Sequence, residues 1–294
     1  MAIYKGSGVA IITPMNSDQT VNYNKLEELV NYHIDNGTDA IIIVGTTGEA
    51  STLTVQEHID CIHKTVEFAK GRIPVVAGTG SNCTETAVGI TKEAREAGAD
   101  AALVVSPYYN KASQKGLVMH FSKIADSCDI PIILYNIPGR TGVNIQPETI
   151  ATLVKTKSNI VGVKEATGDF GQVARTMNLL DGNVEFYSGE DAMVIPLLSM
   201  GGMGVISVMA NIIPKDTHDM CQAFFDGDTA KAAKMQRDVV PLVDALFCEV
   251  NPIPVKEAMN LMGKEVGPFR LPLCEMEPAN LERLKKAMKD YGIL

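Results

Sequence analysis

Residues 160–168 read Ile-Val-Gly-Val-Lys-Glu-Ala-Thr-Gly, a short β-branched run that delivers Lys164 to its own end. Apolar residues around a glycine predict a strand buried on both faces, and Thr167-Gly168-Asp169 breaks it before a helical pattern begins. Desolvation disfavours a protonated amine, so a lysine at the mouth of an apolar barrel becomes a neutral nucleophile near neutral pH. Schiff-base chemistry with a carbonyl substrate needs such an amine. An ion pair with Glu165, or a side chain that snorkels to water, is the competing reading of the same residues.

Other residues of chemical interest also fall at strand ends. Gly45-Thr46-Thr47-Gly48 supplies backbone N–H groups and two hydroxyls that can hold a carboxylate; a glycine-bounded turn capped by threonine fits equally well. Tyr135, in Leu134-Tyr135-Asn136, ends an apolar run where its phenol either shuttles protons or anchors the strand. Arg140 follows Pro138-Gly139 in a predicted loop, and its fork fits a substrate carboxylate or a surface ion pair. Tyr108 and Tyr109, then Ser188 and Gly189, then Ser207, follow three further apolar runs. Hydroxyls, one guanidinium and one lysine thus suit an imine-forming enzyme acting on small anionic oxo compounds.

The elements that must position these groups alternate. Apolar runs at 7–13, 39–44, 73–77, 101–105, 130–135, 160–164, 184–187 and 203–208 predict strands. Between them, helical periodicity spans 55–70, 85–97, 115–127, 147–154, 172–180 and 192–200, after a first helix that Gly37 stops. This repeat predicts an α/β fold, a closed (β/α)8 TIM barrel, whose active site lies at the C-terminal ends of the strands. No G-x-G-x-x-G follows the first strand, which weighs against a dinucleotide fold. Helical patterns at 211–226, 229–247, 254–262 and 278–291 exceed what one closing helix requires. We therefore expect a catalytic barrel domain over residues 1–225 and a C-terminal helical extension over 226–294.

Composition narrows the function further. The 294 residues carry a net charge of −9, which opposes binding to nucleic acid. With 46% hydrophobic and 21% charged residues the chain resembles an ordinary globular enzyme, and its apolar runs are too short to span a bilayer. The six cysteines are scattered without a C-x-x-C pair, as expected of reduced thiols in a cytoplasmic protein. His58 and His63 are five apart and do not share a helix face, so no metal site is expected.

Seven signatures carry a resemblance: AIITPM (10–15), GTTGE (45–49), GTGSN (78–82), SPYYN (106–110), YNIPGRTG (135–142), VGVKEATG (161–168) and GVISVMAN (204–211). In this order and spacing the chain resembles the pyruvate-dependent class I aldolase-like lyases, most nearly the dihydrodipicolinate synthase branch. The resemblance implies that Lys164 forms an imine with pyruvate, whose enamine adds to L-aspartate 4-semialdehyde in lysine and diaminopimelate biosynthesis. It implies a proton relay of Tyr135, Thr46 and Tyr109, with Tyr109 crossing a subunit interface. Thr47 is implied to bind the pyruvate carboxylate, Gly189 and Ile206 to line the same pocket, and Arg140 to receive the semialdehyde. A homotetramer built as a dimer of dimers is implied, and no metal, nucleotide or other cofactor.

The resemblance also implies an effector pocket for L-lysine, in which His58, Asn82 and Tyr108 match. Ala50, Val55 and Thr86 stand where lysine-inhibited relatives have Ser, His and Glu. Weak or absent lysine inhibition is therefore expected, because the effector's ammonium loses its carboxylate partner. Two alternatives remain at this point. One is a sugar-acid lyase on the same scaffold, such as N-acetylneuraminate lyase or 2-keto-3-deoxygluconate aldolase. The other is a non-catalytic barrel that binds keto acids.

Overall fold

The computed structural model of the chain describes residues 2–294. The apolar runs form eight strands: β1 (Gly6–Ala10), β2 (Ala40–Ile43), β3 (Val75–Gly78), β4 (Ala101–Val105), β5 (Ile132–Asn136), β6 (Ile160–Glu165), β7 (Glu185–Ser188) and β8 (Gly204–Ser207). Each pairs in parallel with the next, and β8 pairs with β1, so the sheet closes into a barrel in sequence order. A closed sheet has no exposed edge, and every strand is buried on both faces.

Strand periodicity of two separates two cores. Ala10, Ile42, Val76, Leu103, Ile133, Tyr135, Tyr187 and Ile206 point into the barrel. Their neighbours Val9, Ile41, Val75, Val104, Leu134, Val163, Phe186 and Val205 point outward and pack beneath the helices. Inside, Tyr4 stacks on Tyr187 with centroids 4.5 Å apart, so the interior is filled rather than open. Room for the Tyr4 ring comes from a missing side chain: a Cβ on Gly8 would lie 2.5 Å from the Tyr4 hydroxyl and 2.8 Å from its Cζ.

The helices around the barrel are α1 (Tyr23–Asp35), α2 (Val55–Ala69), α3 (Thr84–Ala97), α4 (Gln114–Ala125), a single turn α5 (Pro138–Thr141), α6 (Pro147–Thr156), α7 (Phe170–Leu179), α8 (Val194–Ser199) and α9 (Pro214–Phe225). Then follow α10 (Thr229–Leu246), α11 (Ile253–Leu261) and α12 (Pro278–Tyr291). Polar caps start several of them. Asn22, Ser113, Asp169 and Asp228 each accept from a backbone N–H of the first turn, and Thr54 with Glu57 forms a reciprocal capping box.

Three segments depart from the sequence expectation. The helix expected over 211–226 begins only at Pro214, because Asn211 is committed elsewhere: its amide donates to Ala10 O and its Oδ1 accepts from Ile12 N. The helix expected over 192–200 is split into a 3₁₀ turn, Asp191–Met193, and α8. Arg140 sits in the one-turn α5 rather than in a loop.

Candidate active site

Alternation decides where Lys164 goes. Val163 faces the helices and Glu165 is turned to the same side, its Oε1 accepting from the Thr167 backbone at 2.6 Å. Lys164 between them points into the barrel, and no ion pair with Glu165 forms. In the sheet register it lies beside Tyr135 on one side and Tyr187 on the other. Its Nζ stands 4.3 Å from the centroid of the Tyr135 ring. Only 6% of the residue is exposed, and burial pulls the amine down to about 7, with Asp191 opposing and Arg140 assisting.

The neighbours are tuned by the same burial. Tyr135 is pushed up to about 12 by desolvation, while Arg140 and the Thr46 hydroxyl hold it back, so its phenol keeps its proton. A protonated phenol beside a neutral amine can donate and recover a proton during imine chemistry. Gly189 lies against the lysine stem: a Cβ there would stand 3.1 Å from Lys164 Cε, 3.0 Å from Glu165 O and 2.8 Å from Ala166 Cβ. Ile206 joins Tyr135 and Tyr187 in the inner core.

The turn that carries Thr46 and Thr47 is strained at both ends. Val44, a β-branched residue, has φ 47°, and Glu49 has φ 56°. Several contacts hold it in place. Thr13 Oγ1 donates to Gly48 O at 2.6 Å, Asn251 Nδ2 donates to Thr47 Oγ1 at 3.0 Å, and Lys256 Nζ meets Glu49 Oε1 at 2.6 Å. Asn251 O also accepts from Arg140 Nη2 at 3.1 Å.

A cavity of about 420 Å³ opens beside this cluster, lined among others by Thr46, Tyr135, Arg140, Tyr108 and His58. It runs from the relay hydroxyls toward α2, where His58 Nε2 donates to Gly78 O at 2.6 Å. Ala50, Val55 and Thr86 form part of its wall, and Asn82 does not. Lys164, Thr47, Gly189 and Ile206 also lie outside its lining. Tyr109 does not line the cavity within one chain. It is 90% exposed, on a backbone with φ 73°.

Sequence reasoning passed over four residues that the fold brings here. Asp191 is buried, its Oδ2 accepting from Val208 N and Met209 N at 3.0 and 2.8 Å, and burial raises its carboxyl above the usual range. Glu49, Asn251 and Lys256 tie the helices after the barrel to the β2 turn. One signal was present for Lys256: it is the single cation in α11, among Ile253, Val255, Ala258 and Met259, all buried.

Residues 4–291 match the dihydrodipicolinate synthetase family. A 4-hydroxy-tetrahydrodipicolinate synthase of Lachnoclostridium phytofermentans is 55% identical over 294 residues, covering 100% of both chains. One of Thermoanaerobacter pseudethanolicus is 58% identical over 294 residues, covering 100% of this chain and 99% of its own. Among solved structures, dihydrodipicolinate synthase of Cyanidioschyzon merolae with lysine bound superposes with a TM-score of 0.97 at 40% identity, covering 100% of both chains. That of Aquifex aeolicus gives 0.96 at 44% identity, covering 98% of both. With the barrel, the inward lysine and these relatives in agreement, the chain belongs to the dihydrodipicolinate synthetase family.

Proposed function

We propose that Lys164 is the Schiff-base nucleophile of a 4-hydroxy-tetrahydrodipicolinate synthase, a lyase condensing pyruvate with L-aspartate 4-semialdehyde on the route to diaminopimelate and lysine. The observation that carries this reading is the burial of Lys164 with its amine pulled down to about 7 over the Tyr135 ring. The neutral Nζ attacks C2 of pyruvate, and loss of water gives the imine. Removal of a C3 proton gives the enamine, and C3 then bonds to the aldehyde carbon of the semialdehyde. The amine of that substrate attacks C2, the bond to Lys164 breaks, and the ring closes.

Tyr135 and Thr46 serve as the proton relay, supported by their place together in the cavity wall and by the pull of Thr46 on the phenol. Thr47 holds the pyruvate carboxylate, Gly189 and Ile206 line its pocket, and Arg140 receives the carboxylate of the semialdehyde. Tyr109 completes the relay of a second subunit, a role supported by its exposure within one chain. The assembly is then a homo-oligomer, a dimer of dimers, working in the cytoplasm; no helix among the described residues is long and apolar enough to cross a membrane. The barrel domain runs to residue 225, since α9 still packs on β1, and the helical extension begins at 226.

L-Lysine inhibits this enzyme weakly or not at all. His58 and Tyr108 line the cavity, but no carboxylate does, and Ala50, Val55 and Thr86 offer the effector's ammonium no charge. Tight, cooperative inhibition in a steady-state assay overturns that expectation. The nucleophile is tested by incubating the protein with pyruvate, reducing with borohydride and mapping the adduct by mass spectrometry. An adduct on Lys164 is expected. No adduct, or one elsewhere, refutes the assignment.

A further inference from the structure

We propose that Asn251 is a positioning residue that sets the hydrogen-bond polarity at the pyruvate carboxylate site, acting through Thr47. The inference rests on the reading of Thr47 as the carboxylate-holding residue. A threonine hydroxyl has one proton to give and lone pairs to receive. Asn251 Nδ2 donates into Thr47 Oγ1 at 3.0 Å, which occupies a lone pair and leaves the proton uncommitted. Among the described residues no acceptor takes that proton. Thr47 is nonetheless almost fully buried, so its remaining partner is a ligand acceptor, and a carboxylate oxygen fits.

The second contact of Asn251 points the same way. Its backbone oxygen accepts from Arg140 Nη2 at 3.1 Å, so one residue braces both groups assigned to substrate carboxylates. Those groups lie 204 and 111 positions away in sequence, and neither could organise the other locally. The side chain itself is held at a cost: Asn251 is 6% exposed and its Oδ1 has no partner among the described residues. A buried acceptor left unsatisfied is destabilising, which an apolar residue at the same position would avoid. The amide is therefore retained for what its Nδ2 does to Thr47.

Measuring pyruvate KM, kcat and melting temperature for Asn251→Ala, Asn251→Asp, Thr47→Ala and the double variant Asn251→Ala/Thr47→Ala tests this. Asn251→Asp keeps the shape but offers only acceptors, so it turns the Thr47 proton away from the ligand; pyruvate KM rises by about tenfold or more with kcat at saturation within about twofold. Asn251→Ala raises KM less, and adds nothing once Thr47 is already alanine. A purely structural asparagine instead lowers kcat and melting temperature with KM unmoved, and that result overturns the proposal. So does a wild-type KM in Asn251→Asp, or full additivity in the double variant. If Asn251→Ala does not fold, Asn251→Asp alone decides. If Thr47→Ala leaves KM unchanged, the carboxylate reading of Thr47 falls, and this inference with it; if Thr47→Ala raises KM and the Asn251 variants do not, only the inference falls.

Discussion

Lys164 and Lys256 are both withdrawn from water, at 6% and 0% exposure, yet their ammonium groups meet different surroundings. Lys256 Nζ has a carboxylate oxygen of Glu49 at 2.6 Å and the Pro268 carbonyl oxygen at 2.6 Å. Burial pulls its pKa down and Glu49 opposes the pull. Lys164 Nζ faces the ring of Tyr135 at 4.3 Å and makes no ion pair with the nearby Asp191, whose Oδ2 accepts from the backbone N–H groups of Val208 and Met209. One lysine is thus kept as half of an ion pair, and the other is left to shed its proton. What separates a structural lysine from a nucleophile is the partner, not the depth.

Removing each amine exposes the contrast. Lys164→Ala abolishes the borohydride-trapped adduct and lowers turnover by about 10⁴-fold or more, with circular dichroism unchanged. Retained turnover would contradict the assignment. Lys256→Met has the opposite profile. It strands the Glu49 carboxylate in the interior and destabilises the fold by about 3–5 kcal/mol in urea denaturation. A neutral effect there would mean that the pair contributes nothing to holding the strained β2 turn.

The pH dependence of stability sharpens the difference. Lys164 has a folded pKa of about 7 against an ordinary value of 10.5, so between these values the unfolded chain holds the proton that the folded chain has released. Wild-type stability relative to Lys164→Met therefore rises with pH across that window. The penalty is fully present below the folded value, where it reaches on the order of 5 kcal/mol, and vanishes above the unfolded one. Denaturation of both proteins at a series of pH values reads it directly; a flat difference would place the amine in contact with water.

A smaller effect comes from the wall of the site. Gly189→Ala brings a methyl to 3.0 Å from Glu165 O and 3.1 Å from Lys164 Cε. We expect about 1–3 kcal/mol of destabilisation from overpacking, together with slower adduct formation because the lysine stem must shift. An unaltered trapping rate would show that the stem has slack.

The two lysines also differ in how far they could be seen in the sequence. Lys164 lies at the end of a β-branched run, a local signal that marked a lysine at a buried strand end, while its freedom from Glu165 was visible only in the fold. Tyr135 was visible at the end of an apolar run, whereas Thr46 and Arg140 were picked out by the turn and loop that follow such runs. Lys256 sits in a helical pattern and finds Glu49 some 207 positions away. Periodicity reports which face of an element is apolar, and it says nothing about which distant element covers that face. Asn251 and Asp191 escaped similarly, because their work is done on backbone and hydroxyl groups of other strands. The late start of α9 has the same origin, since Asn211 is held by β1 rather than by its own helix.

The central claim is that burial without an ion-pair partner makes the Lys164 amine nucleophilic near neutral pH. Its most direct test is the rate of pyruvate imine formation at Lys164, followed by rapid-quench borohydride trapping and mass spectrometry from acid to alkaline pH. The account predicts a rate that rises with pH around a midpoint of about 7. A midpoint near the ordinary lysine value of 10.5, or adduct formation at another residue, would contradict it.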